Sequence, residues 1–133
     1  MAKVLLVDTN FSSAPIYSVL QDLGHDVHVV GSNPIDALAK SANNFWNIDY
    51  SDTTALYDLI ERENFDYLVP GCTDRSYKSC AFVNHGRFPG IETPAIEDKI
   101  HNKQKFRKIA EKLNLPIPET QNINNNRLDY PVI

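Results

Sequence analysis

Two cysteines and five glycines are all that the 133 residues contain, and each shortage excludes something. Two thiols cannot build a disulfide framework, and Cys72 and Cys80 fit no zinc-ligand spacing. A reducing compartment is the simplest setting. His25, His28, His85 and His101 show no metal-ligand spacing either. No apolar run approaches the ~18 residues of a membrane span. The start, Met-Ala-Lys-Val-Leu-Leu-Val-Asp, lacks the apolar stretch and cleavage site of a signal peptide. A cytoplasmic protein without membrane contact is expected. Positive charge is also short: thirteen Lys and Arg against seventeen Asp and Glu leave a net −4, which argues against nucleic acid as a general partner. What is there, 42% hydrophobic residues in an even composition, excludes disorder and allows one domain with its own core.

Apolar periodicity alternates between two kinds of segment. Lys3-Val4-Leu5-Leu6-Val7 is a continuous run, as in a strand covered on both faces. Ser12 and Ser13 are N-cap candidates and Pro15 suits a first helical turn. Ile16, Val19, Leu20 and Leu23 then share a helical face, and Gly24 stands where a left-handed residue ends it. Residues 26–30 form the next strand. The pattern continues with a short helix over 34–42 and a short strand or irregular stretch over 45–50. A helix capped by Asp52 or Thr53 and a strand over 66–70 follow. Thr73 or Asp74 caps another helix, with Tyr77, Cys80, Ala81 and Asn84 on one side. Residues 86–93 read as a strand with turns. Asn102 caps a helix bearing Phe106, Ile109, Ala110 and Leu113, and Leu115-Pro116-Ile117-Pro118 ends it. The expected fold is α/β: a Rossmann-like open parallel sheet with helices on both faces.

Such sheets bind ligands beyond the carboxyl ends of their strands, near a switch in strand order. Here those ends are residues 8–13 and 71–74. The first turn, Asp8-Thr9-Asn10-Phe11-Ser12-Ser13, has no glycine, so the backbone approach of a dinucleotide pyrophosphate is disfavoured. Asn10, Ser12 and Ser13 are candidate substrate contacts, with plain capping as the alternative. Thr73 and Asp74 are candidates on the same footing. Cys72 at a helix start could be a nucleophile, but a buried structural cysteine is the simpler expectation. Six of the thirteen basic residues, Lys99, Lys103, Lys105, Arg107, Lys108 and Lys112, lie in one stretch with Glu111. That concentration suits a phosphate, a partner surface or a solvated helix face.

The last third is more specific. The run from Asn102-Lys103 through an amphipathic helix to Asn114-Leu115-Pro116-Ile117-Pro118, then Tyr130-Pro131-Val132-Ile133, resembles the junction helix and following strand of ATP-grasp ligases. Val69-Pro70-Gly71 and the Ile91-Glu92-Thr93-Pro94 strand also fit that family's first domain, closest in style to the biotin carboxylase and carbamoyl phosphate synthetase branch. The resemblance implies a pre-ATP-grasp domain over residues 1–118. Residues 119–133 would be a linker and the start of a second domain, cut short. It implies ATP and Mg²⁺ as cofactors of an intact ADP-forming ligase that phosphorylates a carboxylate before an amine or thiol displaces phosphate. Lys103 is its match for the lysine that contacts ATP phosphate; Asp98-Lys99 is a rival register. Asn102 departs from the family's acid and Asn114 from its glycine.

The expected partners are a small carboxylate substrate and the rest of the ATP-grasp chain; a homodimer stays open. No catalytic residue and no metal ligand is assigned within these residues, and the 133 residues alone are expected to be inactive. A stand-alone flavodoxin-like module and an interaction domain using the basic helix are the alternatives.

Overall fold

The computed structural model describes residues 1–118, so the expected linker and the Tyr130-Pro131-Val132-Ile133 strand lie outside the described residues. The chain divides into two compact units, Met1–Asp98 and Lys99–Ile133. In the first, β1 (Lys3–Val7) leads through a 3-10 turn (Phe11–Ser13) into α1 (Ala14–Asp22), then β2 (Asp26–Gly31), α2 (Ala37–Ser41), β3 (Asn44–Asn47), α3 (Thr53–Glu63), β4 (Tyr67–Pro70) and α4 (Asp74–Asn84). Next come α5 (Pro94–His101), at whose end the second unit begins, and α6 (Lys103–Lys112) within that unit.

Among the described residues the three strand pairings are all parallel, in the order β3-β2-β1-β4. The continuous apolar run of β1 occupies the centre, where both faces are covered. Successive side chains point to opposite faces. Leu5 and Val7 therefore join Val30 and Leu68 beneath Leu56, Leu59 and Ile60 of α3 and Cys80 and Val83 of α4. Leu6, Val27 and Val29 meet Tyr17 of α1 and Leu38 of α2 on the other side. The expected α/β sheet with helices on both faces is what forms.

Side-chain caps set several helix starts. Asp52 accepts from the Thr54 and Ala55 amides, Thr73 from Ser76, and Asn102 from Gln104 and Lys105. Gly24 takes φ +79° after α1.

Three expectations fail. Residues 86–93 are turn and irregular structure, so neither that strand nor the Ile91-Glu92-Thr93-Pro94 strand exists. The reason is Asn84: its side-chain carbonyl accepts from the Phe88 N–H at 2.7 Å and its amide donates to the Phe88 carbonyl at 3.1 Å. Those are the two backbone groups a strand would give to a neighbour. Thr93-Pro94 instead starts α5, the Thr93 hydroxyl accepting from the Ile96 amide. On α1, Val19 and Leu23 are exposed and Tyr17 is buried. The Tyr17 hydroxyl accepts from the Gln21 side chain and the Asn43 amide, which lets a tyrosine fill the core position.

Candidate functional site

The strand order reverses between β1 and β4: the chain moves from β1 outward to β2 and β3, then crosses back to β4. Val7 is level with Pro70, which sets Asp8 beside Gly71 at the carboxyl ends. Contact there is close. A Cβ on Gly71 would lie 2.5 Å from the Asp8 Cβ and 2.6 Å from the Ser13 Oγ, so only glycine fits.

Asp8 is buried and has φ +135°, in a region that L side chains rarely adopt. Its carboxylate holds that backbone in place. It accepts from the Asn10 amide at 3.0 Å, the Ser13 hydroxyl at 3.2 Å and the Tyr50 hydroxyl at 3.4 Å. Ser13, fully buried, also accepts from the Cys72 amide at 3.1 Å and so ties the first loop to the loop after β4. Beside it, Asp36 accepts from the Thr9 hydroxyl and from the Asn33 side-chain amide, both at 2.6 Å. Arg75 donates to Asp49 and to the Ser51 hydroxyl, and its guanidinium lies 4.7 Å from the Tyr50 ring centroid.

Together these groups border an open cavity of about 460 Å³, with Asp8, Thr9, Asn10, Asp36, Tyr50 and Thr73 in its wall and Arg75 beside them. Burial, chiefly, pushes the Tyr50 hydroxyl above its ordinary pKa, and the Asp8 charge acts in the same direction. Asp49 is held below the usual carboxylate range, first by the Ser51 N–H and then by Arg75.

Of the five residues expected to contact substrate, Asn10 and Thr73 line the cavity. The exposed Ser12 and the buried Ser13 serve the loop: Asn10 Oδ1 accepts from both the amide and the hydroxyl of Ser12. Asp74 opens α4, where a carboxylate favours the helix dipole. Cys72 is exposed, not buried, its thiol donating to the Ser12 carbonyl, while Cys80 is buried and its thiol pushed far up. His85 offers Cys72 no base. It ends α4 against Tyr57, about 16 Å along the axis at 1.5 Å per residue. Lys103 belongs to the second unit, as the exposed first residue of α6. Asn114, where the family has glycine, takes φ +52°, as an asparagine can. Arg75 was open to binding an anion, with solvation as the alternative; Asp8, Asp36 and Tyr50 were not singled out as contacts. An aspartate in the glycine position of a first β-α turn was the available signal.

Among the described residues no three His, Cys, Asp or Glu side chains gather as a cation's ligands would, and no helix is long and apolar enough to cross a membrane.

No family model matches the chain. It is 27% identical over 124 residues to a formate-dependent phosphoribosylglycinamide formyltransferase from Histophilus somni (strain 129Pt), a match covering 92% of this chain. The crystal structure of N5-carboxyaminoimidazole ribonucleotide synthetase from Thermotoga maritima superposes with a TM-score of 0.69 over 90% of the chain at 15% identity. The likeness is one of fold. Glycinamide-RNase-transformylase T from Mycobacterium tuberculosis shares that fold with a TM-score of 0.69 at 23% identity, over 86% of the chain. The chain spans about a third of each relative's length: 32% of the first two and 33% of the third. Their names speak of ribonucleotide and glycinamide chemistry, not of biotin carboxylase or carbamoyl phosphate synthetase.

Proposed function

We propose that the chain is the amino-terminal domain of an ATP-dependent carboxylate ligase of the ATP-grasp type, and that its switch-point cavity forms part of the substrate site. The observation that carries this reading is the cavity itself. It lies at the carboxyl ends of β1 and β4, where an open parallel sheet offers a crevice, in a chain of which 124 residues align with one such enzyme. In the intact enzyme ATP and Mg²⁺ would activate a carboxylate as its acyl phosphate, which an amine or thiol then attacks. The described residues gather no metal ligands. Their part is to position: Asn10 and Thr73 offer polar atoms to a small substrate, and the Asp8 network holds the two loops that carry them. Lys103, at the start of α6, is the residue we assign to the ATP phosphates, an ammonium on a flexible stem.

Kinetics of the full-length enzyme test both parts. Asn10→Ala and Thr73→Ala should raise the substrate KM with melting temperatures still above the assay temperature, and unchanged KM values would remove the cavity from the substrate site. Lys103→Ala should raise the KM for ATP by about ten- to hundredfold, the equivalent of a charge-assisted contact of about 1.5–3 kcal/mol. Lys99→Ala is the control for register; if it is the sensitive one, the phosphate contact lies there instead.

A further inference from the structure

We propose that the switch-point cavity receives a protonated amine of the substrate, not a phosphate group; this rests on the cavity being the substrate site. A phosphate at a β-α turn needs backbone N–H groups turned toward it. Here the chain's own acceptors already take five of them. The Asn10 amide donates to Asp8, the Ser12 amide to the Asn10 side chain and the Ser13 amide to the Asn10 carbonyl. Across the seam the Gly71 amide donates to the Val7 carbonyl and the Cys72 amide to Ser13.

Charge points the same way. Asp8 and Asp36 line the cavity, and among the described residues neither forms an ion pair with a Lys or Arg. The cation at the rim, Arg75, is already engaged by Asp49. Three carboxylates against one guanidinium repel a dianion and attract a cation.

The hydrogen-bonding capacity then selects the kind of cation. Each Asp36 oxygen accepts one bond within the chain, from Thr9 or from Asn33, and a carboxylate oxygen has two lone pairs. Asp36 is half-buried at the cavity wall, so it retains acceptor capacity toward the cavity. An ammonium has three donors and no acceptor, which matches a wall of acceptors. The Thr73 hydroxyl oxygen, which accepts one bond from the Ser76 amide, stands at the same wall.

The test is an amide-resolved NMR titration of the ¹⁵N-labelled 133-residue chain with four probes: glycinamide, its uncharged counterpart acetamide, inorganic phosphate and ribose. Glycinamide should shift the amides of Thr9, Asn10, Asp36 and Thr73, and acetamide should not. Asp36→Asn, which keeps the shape and removes the charge, should weaken the glycinamide response about tenfold or more. The glycinamide and acetamide pair needs no variant, so it decides even if Asp36→Asn disturbs the fold. Phosphate or ribose shifting those amides in place of glycinamide would overturn the amine assignment while leaving the cavity as the substrate site. Equal responses to glycinamide and acetamide, or none to either, would also overturn it. The substrate-site reading itself falls only to unchanged KM values in the Asn10 and Thr73 variants of the full-length enzyme.

Discussion

Asp8 carries two burdens: a backbone angle that glycine would adopt freely and a carboxylate on which three donors converge. Those burdens separate by substitution. Asp8→Ala keeps the strained φ and leaves the buried Ser13 and Tyr50 hydroxyls without their acceptor, so it should lose about 2–4 kcal/mol of stability. Asp8→Gly loses the same bonds but relieves the angle, and should be about 1 kcal/mol more stable than the alanine variant. Urea denaturation measures both, and an alanine variant equal to or better than glycine would show that the backbone is not strained. Tyr50 supplies the matching titration. Burial and Asp8 raise its pKa above the ordinary value of 10.0, so the folded state holds that proton more tightly than the unfolded chain. Stability from this group is complete below pH 10.0 and declines as pH rises from there toward the raised value. Tyrosinate absorbance should show a late-ionising phase in the native protein, and Tyr50→Phe should reduce it by one phenol.

At the scale of elements, what the residues announced and what they concealed divide along one physical line. Starts set by a local side chain were legible: Asp52, Thr73 and Asn102 cap as expected, because each bond closes within three residues. So was β1, whose four-residue apolar run Val4-Leu5-Leu6-Val7 fits the middle of a sheet covered on both faces. Failures came where a distant partner decided. The segment after α4 has strand-like composition, yet Asn84 takes both backbone groups of Phe88. On α1 the tyrosine hydroxyl finds its partner beyond α2, at Asn43, and so Tyr17 displaces the aliphatic face that periodicity favours. The site divides likewise. Its position followed from strand alternation, and Asn10 and Thr73 with it, whereas Asp36 and Tyr50 reach the cavity only through the folded sheet. A cap makes the legible class measurable. Asp52→Ala should destabilise the protein by about 1 kcal/mol, and Asp52→Asn should retain most of that in the same thermal melts.

For the whole molecule, the order β3-β2-β1-β4 grades the sheet from its interior outward. Val4, Leu5, Leu6 and Val7 of β1 are essentially without solvent exposure, whereas β3 is half-buried and, among the described residues, pairs only with β2. Amide exchange should therefore be slowest in β1 and markedly faster in β3. Equal protection of the two strands would mean that the edge opens only with the whole sheet. The switch-point loops hang from β1 and β4, so slow exchange at their base would accompany a cavity wall that is formed before any ligand arrives.

The weak edge also carries the chain's one tryptophan. Trp46 on β3 donates its indole N–H to His28 Nδ1 at 3.1 Å, and His28 Nε2 lies 3.1 Å from Asp26. An indole can only donate, so His28 keeps its proton on Nε2 and hands it toward Asp26. The protein thus contains its own optical probe, set on the seam between β2 and β3. Its emission should follow the loosening of that edge without any label, and should give ring-nitrogen shifts at His28 an independent optical check. Because Trp46 lies outside the cavity wall, light from it should stay constant while a ligand enters and change only when the edge strand lets go.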